Sequence, residues 1–100
     1  MGNFYADQRN AERKAKEAFV RHAIDGIVER KKREKRQPAR ASWRELRDIL
    51  QEDHWAHLVA MIKRGVVVEY RGIHYSTYEV NWVAYNDEEA FEKQMKKVMR

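Results

Sequence analysis

The apolar residues in the middle of the chain follow two helical stripes and then change to a period of two. The stripes consist of Trp43, Leu46, Ile49 and Leu50, and of Trp55, Leu58, Val59 and Ile62. At roughly 100° per residue, one continuous helix would point the two stripes about 160° apart and would need core on both sides. We therefore predict a break at residues 51–53 that separates two helices. One long helix between two layers is the alternative.

Local end signals place these two helices. Ser42 and Glu45 have the spacing of a capping box, so the first helix is predicted to begin at Trp43. Asp53 is a favourable N-cap residue, and the second helix is predicted to begin directly after it. Gly65 follows the second stripe and is the residue type that most easily adopts the left-handed conformation beyond a helix end. The second helix is therefore predicted to end before it.

Alternating residues after the second helix predict a β-hairpin. With residues 71–72 as a two-residue turn, one face would carry the facing pairs Tyr70 and Ile73, Val68 and Tyr75, and Val66 and Thr77. The other face would be mostly polar, which supports this register. Alternation continues over residues 78–85, with a shift that predicts a bulge or turn near residues 76–77. Either the second strand extends past its partner, or a third strand begins there.

Helices are also predicted at both ends of the chain. The composition indicates a long helix over residues 7–37 that ends before the only proline, with a kink or a division near Gly26. Its apolar stripe is Phe19, Val20, Ala23, Ile24, Ile27 and Val28. A last helix over residues 86–100, capped by Asn86 or Asp87, has its own stripe. That stripe is predicted to lie in the monomer core or against a second copy, and it consists of Ala90, Phe91, Met95, Val98 and Met99.

These elements predict an α+β fold with a long N-terminal helix, a helix-turn-helix, a β-hairpin of two or three strands and a C-terminal helix. At 100 residues the chain is expected to form a single domain, residues 1–100, with a modest core. Within it we expect a loosely packed helical arm (1–17), a basic segment (30–41), a central core (42–85) and the last helix (86–100).

Positive charge is concentrated in the N-terminal part of the chain. The formal net charge is +5, and residues 1–41 hold twelve Lys or Arg against six acidic residues. The cations of the basic segment are Arg30, Lys31, Lys32, Arg33, Lys35, Arg36 and Arg40. Such a run is either a solvated helix face or a surface that contacts phosphates, for which counterion release makes affinity fall with salt.

Composition disfavours several functional classes. The chain has no Cys, which excludes a disulfide scaffold and thiolate metal sites. No apolar run approaches the roughly 20 residues of a membrane span, and the N-terminus lacks an apolar signal core, so we expect a cytoplasmic, phage-like protein. His54 and His57 are three residues apart without an evident third metal ligand, and no catalytic or phosphate-cradling motif is visible. We expect neither catalysis nor a metal or cofactor.

The order of two short helices and a β-hairpin over residues 42–78 resembles the winged helix-turn-helix, a DNA-binding fold. The resemblance implies that the second helix enters the major groove and that the hairpin lies beside it as a wing, in a protein that regulates transcription. Together with the basic segment, the residues that this interpretation places at nucleic acid are Arg30, Lys31, Lys32, Arg33, Lys35, Arg36, Arg40, His54, His57, Met61, Lys63, Arg64 and Arg71.

Other partners fit the same features. A protein-binding module, such as a small phage-type inhibitor or adaptor, would grip a host protein or nucleoprotein complex through the long helix and an exposed strand. RNA would engage the same cations as duplex DNA, and single-stranded nucleic acid would stack on the aromatic side chains. A homodimer through residues 78–100 is compatible with each of these functions.

Overall fold

Four helices and a three-stranded antiparallel sheet follow one another along the chain. The computed structural model describes residues 3–98. Its elements are α1 (Asn3–Arg33), β1 (Ala41–Ser42), α2 (Trp43–Arg47), α3 (Glu52–Arg64), β2 (Val67–Arg71), β3 (Ser76–Val80) and α4 (Trp82–Val98). The predicted α+β class, with its long first helix and its last helix, is confirmed. Met99, which was predicted to be buried, lies outside the described residues.

The core lies where α1, α3 and one face of the sheet meet. The largest fully buried side chains are Val20, Ile24, Leu46, Leu58, Met61, Val66 and Val67. In α1 and α3 the buried residues are three or four positions apart, so they lie on one face of each helix. The two helices thereby bury these faces against each other.

Helix α1 continues past Gly26 and ends earlier than predicted. Gly26 is exposed while Ile24 and Ile27 are buried, so packing on both sides of the glycine holds the helix together and no division occurs. The last helical residue is Arg33 rather than residue 37. Lys35 adopts a left-handed φ of 56°, and the next N–H, that of Arg36, donates to the Lys31 carbonyl at 2.9 Å. This hydrogen bond turns the chain out of the helix.

The predicted break between α2 and α3 is confirmed. Helix α2 begins after Ser42, whose hydroxyl accepts from the Glu45 N–H while the Glu45 carboxylate accepts from the Ser42 N–H. Helix α3 begins at Glu52 instead of His54. Its N-cap is Gln51, whose N–H donates to Nδ1 of His54 at 3.1 Å. Asp53 is therefore not the cap, and that detail of the prediction is wrong.

The hairpin exists, but its predicted register is wrong. The strand order is β1-β3-β2, and β2 pairs with β3 so that Tyr70 faces Thr77 and Val67 faces Val80. Residues 72–75 form the loop, which removes Ile73 and Tyr75 from the strands. The face with Val67 and Val80 packs on the core, whereas the face predicted to be apolar is the outer one. The third strand is β1, from before the helix pair, instead of an extension over residues 78–85.

Helix α4 starts where a strand was predicted to continue. Trp82 is its first residue, and the Asn81 side chain accepts from the Ala84 N–H at 3.2 Å, so Asn81 caps the helix in place of residues 86–87. No described residue of α4 is fully buried. The apolar stripe was predicted to lie in the monomer core or against a second copy; the first alternative is wrong, because Phe91 is 61% and Val98 is 74% exposed.

Two glycines are expected to respond oppositely to substitution by alanine. Gly26 lies in mid-helix, and the space that an added methyl group would occupy is open, so Gly26→Ala should raise the free energy of unfolding by about 1 kcal/mol. Gly65 has φ +82°, so Gly65→Ala should lower it by about 1 kcal/mol. Urea unfolding followed by far-UV circular dichroism measures both. A loss of stability in Gly26→Ala would contradict the unbroken α1.

Candidate nucleic-acid interface

The end of the basic segment and the tip of the hairpin meet on one side of the protein. Two adjacent concavities of about 290 and 190 Å³ share Arg40, Tyr75 and Thr77 in their linings. We define the tip surface as the half-buried Arg40 and Tyr70 together with the exposed Arg36, Arg71, His74 and Tyr75. Among the described residues, neither lining includes an acidic side chain. Residues more than thirty positions apart thus form one basic and aromatic surface.

Sheet pairing explains this convergence. β1 pairs with β3 so that Ser42 faces Thr77, and β3 in turn pairs with β2 so that Thr77 faces Tyr70. Alternate residues of a strand lie on the same face, so Arg40 shares the outer face with Ser42. The loop that carries the basic residues enters the sheet through β1, and its last cation therefore lies over the hairpin.

Arg40 and Tyr70 are the centre of the tip surface. The Arg40 guanidinium carbon lies 3.5 Å from the centroid of the Tyr70 ring, and the Tyr70 hydroxyl donates to Glu79. This hydrogen bond raises the pKa of Tyr70. A guanidinium stacked on a ring keeps its N–H donors in its own plane, where they can contact a phosphate at the edge.

The basic segment is divided between structural and free cations. Lys31 is buried at 9% exposure, and its ammonium donates to the Arg40 carbonyl at 2.7 Å and to Glu45 at 2.6 Å. The expectation that Lys31 faces a nucleic acid is wrong, because its charge is used inside the fold. Arg30 also donates to Glu45, at 3.1 Å. The other exposed members of the segment are Lys32, Arg33, Lys35 and Arg36, of which Lys32 lies 3.6 Å from Glu29 and Arg36 lies 4.0 Å from Glu34.

Glu45 joins this interior contact to the start of α2. Burial on its own would raise the pKa of Glu45, but the hydrogen bonds from Lys31 and Ser42 outweigh that effect and lower the pKa to about 2. The carboxylate is therefore charged at any ordinary pH. It holds the end of α1, the residue before β1 and the first turn of α2 together.

Helix α3 does not present the face that the sequence predicted. Met61 was expected to point outward and is 1% exposed, while Val59 was expected to be buried and is 50% exposed. The reason is that α3 packs against α1 and β2 at once, which rotates Met61 into the core. The exposed residues of the helix are Glu52, Asp53, Ala56, Val59, Lys63 and Arg64. This face is acidic at the start of the helix and basic at its end.

The other predicted contacts on α3 differ in availability. His54 is not outward-facing, because its ring stacks on Phe19 at 4.4 Å between centroids and its Nδ1 accepts from the backbone. Arg64 donates two hydrogen bonds to Glu17, at 3.0 and 2.7 Å, and also contacts Glu88. These partners raise the pKa of Arg64 and hold the side chain between α1 and α4. Lys63 is exposed and His57 is half-buried.

Sequence reasoning missed part of the tip surface. Tyr70, His74 and Tyr75 were predicted on hairpin faces, with Tyr70 and Tyr75 on the buried one, because the predicted two-residue turn kept Tyr75 in a strand. Arg71, at the tip of the hairpin, was predicted as a contact, and its side chain is 88% exposed. The available signal was the local density of aromatic and basic residues, since Tyr70, Arg71, His74 and Tyr75 lie within six positions.

Comparisons with known proteins add no family. Protein-family models, curated proteins and solved structures all give no match to this chain. Within residues 3–98, none of the helices combines the length and apolar character needed to cross a bilayer. In the same part of the chain, no three potential metal ligands of the His, Cys, Asp or Glu type cluster together.

Replacing the central carboxylate is expected to cause a pH-dependent loss of stability. Glu45→Gln leaves the buried Lys31 without its counter-charge, so it should lower the free energy of unfolding at pH 7 by roughly 2–3 kcal/mol. The folded-state pKa is depressed, so this stabilisation is complete above pH 4.5 and disappears as the pH falls to about 2.

Urea unfolding of both proteins between pH 7 and 2 measures the difference. Glu52→Gln, at an exposed carboxylate without an ion pair among the described residues, is the matched control and should change stability by only a few tenths of a kcal/mol. A Glu45→Gln deficit that persists unchanged to pH 2 would contradict the role of the charge.

Proposed function

We propose that this protein binds nucleic acid through the tip surface, with duplex DNA as the preferred form. The single observation that carries the proposal is the convergence of Arg36, Arg40 and Arg71 from separate parts of the chain around exposed aromatic residues. Phosphate contacts account for most of the affinity in such interfaces, and arginine suits them because it donates in a fixed fork.

The tip surface fits a duplex better than a single strand. Single-strand binders offer open aromatic faces on which bases stack. The face of Tyr70 is covered by Arg40, so this ring positions a cation and is not free to stack. Tyr75 is 55% exposed and is the ring most open to a ligand at this surface. Cations held in place around one open ring are suited to a phosphate backbone.

The resemblance to winged helix-turn-helix proteins supports the same class of partner, but the proposed DNA contacts lie on different elements. Two helices followed by a hairpin make up residues 42–80, and the proposed DNA contact includes the hairpin that would be the wing. The outer face of α3 is acidic at its start, where Glu52 and Asp53 would repel phosphates. We therefore propose that the hairpin and the basic segment make the principal contacts, with Lys63 at the margin.

Removing two cations of the tip surface should weaken duplex binding and its salt dependence. For Arg36→Gln with Arg71→Gln, we expect a roughly tenfold loss of affinity and a salt slope that is shallower by about 2, since about one counterion is released per phosphate contact. Fluorescence anisotropy with a labelled duplex at several salt concentrations measures both quantities. An equivalent RNA duplex used as competitor separates DNA from RNA preference.

The matched control removes the same charge elsewhere. Arg9→Gln with Arg44→Gln lies on exposed positions of α1 and α2, outside the tip surface, and should leave the affinity almost unchanged. Equal losses in both variants would mean that net charge, and not this surface, drives binding. No binding by the wild-type protein at about 50 mM salt would exclude the proposal.

Self-association through α4 is a second proposed function, and it would supply two DNA-binding tips. Phe91, Met95 and Val98 are exposed and lie at positions i, i+4 and i+7, which is one stripe of a helix. An antiparallel pair of α4 helices would bring the two stripes against each other and remove these side chains from water.

Charging the stripe should dissociate this pair. We expect the wild-type protein to have twice the 12.1 kDa chain mass in size-exclusion chromatography with light scattering, and Phe91→Lys with Met95→Lys to have the single mass. Val83→Lys, at an exposed apolar residue at the other end of α4, should remain dimeric. A wild-type protein of single mass, or a charged variant that stays dimeric, would exclude pairing through this stripe.

A further inference from the structure

Ile73 lies at the apex of the hairpin and is 96% exposed. A side chain that is almost fully exposed buries no apolar surface and therefore does not stabilise the fold. Of the large exposed hydrophobic residues in the described part of the chain, it has the greatest exposure. This exposure suggests that Ile73 contacts a binding partner.

The loop presents Ile73 in a defined position. The N–H of Gly72 donates to the Tyr75 carbonyl at 3.1 Å, which closes the four-residue loop over residues 72–75. A Cβ atom at Gly72 would lie 2.6 Å from that carbonyl oxygen, so this closure requires glycine. Below the loop, β2 and β3 are paired at five successive positions. The apex is thus a closed turn on a paired ribbon.

An arginine and a histidine flank the apex. Arg71 precedes Ile73 and His74 follows it, and both are exposed, while Arg40 lies behind them on the outer face of the sheet. Glu79 accepts from Tyr70, and Glu69 accepts from Arg71 at 3.3 Å, so a phosphate would have to replace Glu69 as the partner of Arg71, whose side chain is 88% exposed. A ligand that fits this arrangement has an anionic rim and an apolar interior.

The minor groove of DNA has these properties. Its walls are phosphates, its floor gives access to the base stack, and it is about 6 Å wide, so the loop at the apex could enter it while the paired strands stay outside. Apolar side chains such as isoleucine enter this groove in DNA-bending proteins and separate two stacked base pairs. An anionic lipid surface also has an anionic rim, but a single apolar residue is a weak anchor for a membrane.

We propose that the hairpin apex enters the minor groove and that Ile73 wedges between two base pairs and bends the duplex. This inference rests on the proposed DNA binding and adds the groove, the inserted residue and the deformation. Arg71 and His74 contact the phosphates on the two sides of the groove. The kink opens the minor groove at the inserted side chain and bends the flanking DNA toward the major groove, away from the hairpin.

The test separates bending from binding. The probe is a duplex of about 30 base pairs with one central TA step, the step that unstacks most easily, labelled at both ends for energy transfer and carrying 2-aminopurine at the step. We expect the wild-type protein to raise both the energy transfer and the 2-aminopurine fluorescence, as a kink of roughly 20–90° would.

Ile73→Ala should bind the same duplex within about threefold of the wild-type affinity but leave both signals at the level of free DNA, since phosphate contacts position the protein without unstacking bases. Val83→Ala removes the same kind of exposed apolar side chain from α4 and should bind and bend like the wild-type protein. Circular dichroism of each variant verifies that it is folded.

Each other outcome overturns the wedge. If the wild-type protein binds without bending, or if Ile73→Ala bends equally well, the wedge is wrong and the proposed function survives. If the wild-type protein does not bind the duplex, both proposals fail. Ile73-dependent binding to vesicles of anionic phospholipid without duplex binding would assign the apex to a membrane surface instead.

Discussion

The arrangement of the molecule depends on the ion pair between Lys31 and Glu45. Lys31 is buried at the end of α1, and its ammonium also binds the Arg40 carbonyl at the entry to β1. Glu45 in turn completes the capping box that starts α2. One contact therefore determines where the long helix ends its packing, where the first strand enters the sheet and where the helix pair begins. The same carboxylate binds both Lys31 and Arg30, so these two cations stabilise the fold. The outward positive charge therefore lies on the loop after α1 and on the hairpin.

The sequence was a good guide wherever a structural feature depends on neighbouring residues. The capping box at Ser42, the glycine that ends α3 and the break between two opposed apolar stripes all involve interactions within about one or two turns of helix, and each is confirmed. The same local logic failed at the end of α1. There the left-handed position is occupied by Lys35, a residue type that gives no signal for such a turn.

The candidate site was less accessible to this reasoning. The basic segment was recognised from its composition. The burial of Lys31 could not be, because it depends on the carboxylate of Glu45, fourteen residues away. The hairpin register was misjudged because Ile73 and Tyr75 alternate as strand residues do, although they belong to the loop. Similarly, Met61 and Val59 have comparable hydrophobicity and lie two residues apart, so the stripe pattern alone could not choose which of them is buried.

From the chain of residues one obtains the kinds of elements, several of their ends and the excess of positive charge, because these follow from local hydrogen bonding, periodicity and composition. Which face of α3 is buried, which strand pairs with β3 and which cations meet at Arg40 and Tyr70 followed from packing in three dimensions. Long-range pairing selects among faces and registers that are nearly equivalent locally, and the difference in burial that decides between them arises when α1 and the sheet come together.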